Sequence, residues 1–543
     1  MGSNSQAKKE NMKKSLLIQG GILAGAGLIT KIIGFIYRIP MGNILGEQGN
    51  GIYTVSFGIY NIALTLSSYS MPLAVSKTVS ERLAKGEEKN AKRVFTDALI
   101  LALIVGTIAM CVLYFGADAL EMIYKRQGLA KPLRILAPTT FVVALLGVFR
   151  GYFQGHHNMV PTAISQIIEQ IANAIVSVVA SYGFMQIYKD SIYVSAYGAV
   201  GGTMGTLCGA AVALLYFVFL FFITKSREKA QESKEETESH YIIYKSLILT
   251  ILPVILSQTI YQIGYTLDDM IYGNIMSLKQ FEETVAASMQ GVFNTQYNQL
   301  INLPVAISTA LASATLPSMV ASKMMKKRDE VFQKITLVVK VNMLIAFPSA
   351  VGMAVLSTPI MKLLFPRLVT YQSLASMLLM TGSSAIIFYA LSTITTSILQ
   401  GNGYMHIPVI HSGISLVIHV ILVAGLLYYT DLNVYVLIIG NVSFPLIVSL
   451  QNCYSIAKRL GYKWNIGQLF IKPLIASAVM GVITYISYKG AYRLFPNVII
   501  STIISVLLSV IVYAIAILKI GCLTKDELLQ VPGGRTIVAK LKL

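Results

Sequence analysis

The feature that most constrains this chain is a succession of apolar runs, each about 20 residues long. As a helix, each is long enough to cross a hydrocarbon layer of ~30 Å. Fourteen can be placed, near residues 15–40, 51–74, 94–117, 134–155, 160–187, 195–224, 245–276, 286–320, 333–357, 373–400, 407–429, 434–457, 468–488 and 497–519. Of 543 residues, 55% are hydrophobic and only 12% charged, with a mean hydropathy of +0.67; soluble domains carry about 25% charged residues. Such a chain cannot hide its apolar surface from water. Disorder, coiled coil and collagen are excluded by the same numbers. The expected fold class is an all-α polytopic membrane protein with 14 transmembrane helices. The first run is too long for a signal-peptide core and leads into further spans, so it reads as an uncleaved helix.

The net charge of +19 could suggest nucleic acid, but its distribution argues for topology instead. With the N-terminus placed inside, most Lys and Arg fall in the inside connections, as positively charged loops do. The expectation is a multi-pass membrane protein with both termini cytoplasmic and no nucleic-acid partner. Cys111, Cys208, Cys453 and Cys522 are far apart and form no CxxC spacing, so neither a disulfide nor zinc is implied. Residues 78–93 are rich in both charge signs and helix formers, and a short interfacial helix is expected there. Residues 225–240 are charged and of low complexity, the mark of a solvated linker. No outside connection reaches 25 residues, which leaves no room for an extracellular catalytic domain.

The halves on either side of that linker resemble each other. Pro72 to Lys77 matches Pro317 to Lys323, Gln154-Gly155 with Pro161 matches Gln400-Gly401 with Pro408, and Gly42-Asn43-Ile44 matches Gly273-Asn274-Ile275. Each unit holds six spans, an even number, so the two are expected as parallel lobes around a central cavity. The implied segments are a tail at 1–14, a first lobe at 15–224, a charged linker at 225–244 and a second lobe at 245–457. Two extra spans at 468–519 and a cytoplasmic tail at 520–543 follow. Paired repeats of this kind enclose a site and rock between inward-open and outward-open states. The pattern points to transport.

Charged groups deep in a bilayer cost at least ~2.5–3.5 kcal/mol each on insertion scales, so each needs a reason. Lys31 and Arg38 lie seven residues apart on one face of the first span. Lys31 reads as a cavity residue; Arg38 is either a cavity residue or snorkels to the outer interface. Gln166, Glu169, Gln170 and Asn173 recur at i, i+3, i+4 and i+7 of the fifth span. Lipid cannot satisfy that stripe, so it lines water or another helix. Gln258, Gln262, Tyr265 and Asp269 share a face of the seventh span, with Asp268 beside them. In the repeat alignment Asp269 takes the place of Arg38, and an Arg38–Asp269 pair would make a gate; the bland alternative puts both at the interface. Asn294, Asn298 and Asn302 recur at fourfold spacing in the eighth span, with Gln299 adjacent. Arg150 and Lys340 read as snorkelling residues. His411 and His419 share a face without a third ligand, which is weak grounds for a metal. Gly21 with Gly25, and Gly201 with Gly205 and Gly209, have the spacing of close helix packing. No catalytic triad, phosphate loop or carboxylate pair stands out, so neither an enzyme nor a cofactor is expected. A membrane glycan polymerase would need a large outer loop bearing acids.

The deep charges of the first span are both cationic. Such groups favour anions, phosphate above all, and groove amides suit sugar hydroxyls. An anion leaving a cell that is negative inside gains ~2.3 kcal/mol per charge per 100 mV. A lipid-linked diphosphate could therefore be driven outward without ATP.

Several motifs carry a family resemblance. Thr30-Lys31-Ile-Ile-Gly34-Phe with Arg38, Gly46-Glu-Gln-Gly49-Asn-Gly51-Ile-Tyr53, Pro72 to Lys77 and Leu316-Pro317-Ser318 resemble the multidrug/oligosaccharidyl-lipid/polysaccharide exporter superfamily. Within it the chain is similar to MurJ-type lipid II flippases and to polysaccharide and stage V sporulation protein B-like exporters. The resemblance implies two six-helix lobes in a V, with the last two helices forming a groove for a polyprenyl tail. It implies a flippase for a polyprenyl-diphosphate-linked saccharide in a bacterial plasma membrane. A monomer among membrane lipids is expected, with a monovalent cation or the membrane potential as driving force. The family's two diphosphate-binding arginines of the first span fall on Lys31 and, one residue off register, Arg38. The expected sugar-cavity lining is Gln166, Glu169, Gln170, Asn173, Asn298, Gln299 and Asn302. Family charges in the eighth span fall on Gln299 and Asn302, uncharged here; the expected substrate is the peptidoglycan precursor lipid II or a related cell-envelope glycan. The rival on the same fold is a cation-coupled multidrug exporter, which the cationic first span counts against.

Overall fold

A computed structural model of the chain describes residues 2–227, 237–324 and 328–522; the side chains of 2–21, 24, 28, 225–227, 253, 254, 256–266, 313–318 and 320–324 lie outside that description. The middle of the charged linker, the 520–543 tail beyond Cys522, and the side chains of Gln258, Gln262, Tyr265 and Pro317 therefore fall outside it. Among the described residues there is no strand. Helices follow wherever the sequence is apolar, because a backbone in lipid must satisfy its own polar groups within the segment.

Helix α1 (Gly2–Ser67) holds the first expected span and most of the second, and bends at Gly46, whose φ of 65° and ψ of −174° suit glycine alone. Then come α2 (Met71–Ala84), α3 (Glu88–Phe115), α4 (Ala117–Tyr124), α5 (Ala130–Gly155), α6 (Val160–Ile187) and α7 (Val194–Arg227). After the linker run α8 (His240–Leu278), α9 (Glu283–Gly291), a π turn at Val292–Tyr297, and α10 (Asn298–Met324). Helices α11 (Arg328–Val355), α12 (Ser357–Leu364), α13 (Gln372–Gly382), α14 (Ala385–Gly401), α15 (His406–Tyr429), α16 (Tyr435–Leu460), α17 (Lys472–Leu494) and α18 (Val498–Ile520) complete the chain.

The expected spans are largely helical, but those at 51–74, 94–117, 286–320, 333–357 and 373–400 are each divided between successive helices, and not each is an independent apolar span. Ten helices among the described residues are long and apolar enough to cross a membrane, or eleven when α13 and α14, bent by 45°, count as one. Gly25–Ala84 counts once although it carries two expected spans. The spans expected at 245–276 and 286–320 do not qualify; they carry the acids and amides of α8 and α10 and are only partly described. The interfacial helix expected at 78–93 is not one helix. Residues 78–84 finish α2, Gly86 turns the chain at φ 79°, and 88–93 begin α3. A positive-φ glycine inside a run of helix formers overrides their propensity.

The chain packs into two compact units, one from the N-terminus to Thr295 with Leu427–Tyr429, the other comprising the remainder. In the first unit one core joins α2, α3, α5, α7 and α8 around Val75, Ala98, Leu146, Phe217 and Leu247. A second joins α1, α4, α5 and α7 around Met41, Tyr53, Leu133 and Ala199. Helices α8 and α9, which follow the linker in sequence, belong to this unit. In the second unit α14 packs on α10, α11 and α16, and α17 pairs with α18 and α11.

Helices α6 and α7 touch backbone to backbone. A Cβ added at Gly201, Gly205 or Gly209 would lie 2.3 Å from Ser181 N, 2.1 Å from Ser177 Oγ or 2.6 Å from the Glu169 carbonyl. The approach lets Ser177 and Ser181 donate to the carbonyls of Gly202 (2.8 Å) and Gly198 (3.1 Å). Gly25, by contrast, has open space around it, so close packing does not account for it. Gly205→Val should destabilise this pair by about 1–3 kcal/mol or more, visible as a lower melting temperature of the purified protein; an unchanged value would refute the packing argument.

The sequence repeat has a local counterpart. His157 N donates to Gln154 O and Asn158 N to Phe153 O, while Gly403 N donates to Gln400 O and Tyr404 N to Leu399 O. Both turns carry a positive φ, at His157 and Gly403, the signature of a Schellman helix end. Asn43 and Asn274 likewise each donate to the carbonyl four residues back.

Candidate functional site

Lys31, Gly34 and Arg38 form one stripe of α1 at helical spacing, and both cations are exposed. Neither forms an ion pair with a carboxylate among the described residues. Next to them Tyr37 turns inward and is buried, accepting from Asn173 Nδ2 at 3.4 Å. Gly34 lets α6 come close: a Cβ there would sit 3.3 Å from Gln170 Nε2. The amide stripe of α6 thus borders the cationic stripe of α1 within one unit. Asn173 is also fixed from behind, its Oδ1 accepting from Ser177 Oγ at 2.9 Å, so it serves helix packing. Gln166 Oε1 is buried without a hydrogen-bond partner among the described residues.

Glu169 is not a free carboxylate. Arg150 Nη2 reaches its Oε2 at 2.6 Å, and Arg150 Nε donates to Ser165 Oγ at 3.2 Å. Arg150 therefore does not snorkel; it spans from α5 to α6 to neutralise Glu169. Its partner lies on the next helix, where single-helix periodicity cannot reveal it. Because this pair cancels, the positive charge of Lys31 and Arg38 stands uncompensated in the local field. Lys340 does not snorkel either, being only 2% exposed.

A second polar cluster lies at the end of the unit that carries the α4–α5 turn. Asp269 of α8 accepts from Gln290 Nε2 of α9 and, at 2.9 Å, from Asn294 Nδ2. The Oε1 of the same Gln290 accepts from Arg126 Nη2. A buried amide thus bridges guanidinium and carboxylate, with Gln290 0% and Arg126 3% exposed. Arg126 Nη1 also donates to the Glu283 carbonyl at 3.3 Å, and Gln127 N to Glu283 Oε1 at 2.5 Å. Glycines bring α9 onto α1: a Cβ at Gly51 would lie 2.4 Å from Ala287 O, and one at Gly291 2.1 Å from Glu47 O.

The expected Arg38–Asp269 pair is absent here; the cation facing Asp269 is Arg126. Sequence reasoning missed Arg126 because an arginine in a polar turn reads by default as solvated. Only the fold, which seats α9 over that turn, reveals its burial. In the second unit Asn298 accepts from Asn441 Nδ2 at 3.2 Å, Gln299 is buried and Asn302 is exposed. His411 bonds Asn452 Oδ1 at 2.7 Å and His419 the Gly440 carbonyl at 3.2 Å, so both imidazoles serve helix packing. Among the described residues no three His, Cys, Asp or Glu side chains gather as a metal site.

An all-helical, multi-pass membrane chain with polar stripes buried in its spans has the architecture of a transporter. The chain belongs to the polysaccharide biosynthesis protein family, whose model matches residues 16–325. It is 23% identical to stage V sporulation protein B of Bacillus subtilis (strain 168) over 97% of this chain and 100% of that protein. It is also 23% identical to the lipid II flippase MurJ of the same organism, over 86% of this chain and 88% of that one. Among solved structures, an inward closed lipid II flippase MurJ superposes with a TM-score of 0.67 at 16% identity, covering 91% of this chain and 97% of that one. An inward-facing multidrug resistance MATE family transporter of the MOP superfamily gives 0.67 at 16% identity, covering 80% and 95%. The lipid II flippase and the MATE family protein are transporters rather than enzymes, and their fold is the fold of this chain.

Proposed function

We propose that the protein is a flippase that moves a polyprenyl-diphosphate-linked saccharide from the inner to the outer leaflet by alternating access. The single observation that carries this reading is the pair of exposed cations on α1, unmatched by any carboxylate among the described residues and bordered by the amides of α6. Two such cations can take a diphosphate through charge-assisted bonds. Gln166 and Gln170 of the first unit would meet sugar hydroxyls; Glu169 would keep Arg150 from competing for the phosphate. The full reading has fourteen spans, two parallel six-helix lobes with α17 and α18 added as a tail groove, and both termini cytoplasmic. On that topology the Arg126–Gln290–Asp269 bridge lies at the outer end and acts as a latch, joining Asp269 to the gating role expected of it. The membrane potential or a cation gradient would supply the drive.

The test is depletion of the protein in its own host followed by analysis of lipid-linked precursors. A polyprenyl-diphosphate glycan should accumulate in the inner leaflet; unchanged precursor pools would refute the reading. The equal likeness to a multidrug transporter fold favours a second reading, cation-coupled drug export. Drug resistance on expression, with precursor pools unchanged, would establish that one instead.

A further inference from the structure

One cavity of the first unit plays no part in the transport reading. It has a volume of about 370 Å³ and lies where the start of α3, the end of α5 and the last turns of α7 meet. Its floor is aromatic. The Phe95 ring stacks 5.0 Å from Phe221 and lies 4.7 Å from Tyr152, and Phe153 completes the surface. Phe95, Tyr152 and Phe153 are buried, so the rings brace one another and the floor is formed in advance of any ligand.

The rim differs in kind. Lys92, Thr96, His156, Asn158 and Thr224 line it, all exposed, and no carboxylate is among the described lining residues. His156 Nδ1 lies 2.9 Å from the Tyr152 carbonyl, which fixes the ring and leaves Nε2 as its other polar edge. Helix α3 changes character at this level: Glu88 to Asp97 is charged, whereas Ala98 to Phe115 carries no charge at all. That change marks the boundary between headgroups and hydrocarbon. The face of Thr96 continues one and two turns deeper as Ile100 and Ile104, 43% and 54% exposed. On α7, Leu215, Phe219 and Phe222 are each about two-thirds exposed. A ligand here meets a basic, hydrogen-bonding rim at headgroup depth and an apolar track below it.

We propose that this cavity binds one anionic glycerophospholipid, with its phosphodiester on Lys92, Thr96 and Asn158 and its chains along Ile100 and Ile104. Basic pockets between spans at headgroup level suit anionic lipid. A zwitterionic headgroup would set its own ammonium against Lys92, and a soluble phosphate would leave the apolar track unused. The site is independent of what the protein transports.

The test uses the full-length protein, delipidated in neutral detergent and titrated separately with phosphatidylglycerol, phosphatidylcholine and inorganic phosphate, with bound species counted by native mass spectrometry. One phosphatidylglycerol should be retained in preference to phosphatidylcholine. Lys92→Glu should weaken that retention roughly tenfold, and Thr96→Trp should block the cavity to similar effect. Both positions are exposed, and an unchanged melting temperature in each variant would show that the fold persists. Equal retention of phosphatidylcholine would overturn the proposal, as would undiminished phosphatidylglycerol retention in both variants. Lys92-dependent uptake of inorganic phosphate without lipid retention would overturn the lipid assignment.

Discussion

Replacing Lys31 and Arg38 together with alanine should reduce lipid-linked glycan export by about 10²–10⁴-fold, while the protein still folds and inserts. Hydrogen bonds to charged groups contribute about 1.5–3 kcal/mol each, and every 1.4 kcal/mol is tenfold in affinity, so losing two cations gives that range. Folding should survive because both side chains are exposed and neither is ion-paired to a carboxylate among the described residues, so truncation strands no buried charge. Translocation of a fluorescent polyprenyl-diphosphate glycan in proteoliposomes measures the effect, with thermal melting as the folding control. Lys31→Arg, which keeps the charge and adds a bidentate donor fork, should retain most activity. Export at the normal rate in the double variant would remove the site.

Arg126→Ala should loosen the end of the first unit where α9 is seated. Gln290, 0% exposed, would lose the donor to its carbonyl, an orphaning that costs about 1–3 kcal/mol. Asp269 would also lose its nearest cation. Hydrogen exchange across 283–291 should accelerate and the melting temperature fall. The bridge makes a sharper demand: Arg126→Ala and Asp269→Asn should not be additive, because both act through the same amide, with a coupling of roughly 0.5–3 kcal/mol in a double-mutant cycle. Additive effects with α9 protection unchanged would mean that the bridge holds nothing.

Much of the fold was legible because hydropathy in a membrane chain reports directly on which segments must form helices. The apolar runs are largely helical, although ten or eleven rather than fourteen qualify as spans among the described residues, and the glycine spacing of α7 marks close packing. Legibility ended where structure depends on a partner outside the local window. Arg150 meets Glu169 across a turn, Arg126 is buried by a helix more than 150 residues away, and Asn173 donates to Tyr37 of another helix. Periodicity ranks the residues of one helix by face; it does not say which neighbouring helix that face will meet. Hence the cationic stripe of α1 was found and the amide bridge was not.

Gly46 separates two ways in which a chain can insist on glycine. At Gly151 a Cβ would strike Val75 at 2.7 Å, whereas at Gly46 it would meet nothing within 4 Å. The first position is refused by crowding and a rearranged neighbour could relieve it; the second is refused by torsion alone, and no repacking nearby can help. The arm bearing Lys31 and Arg38 is therefore tied to the next arm by a joint whose shape is written into one residue's backbone, leaving the surrounding side chains free to vary.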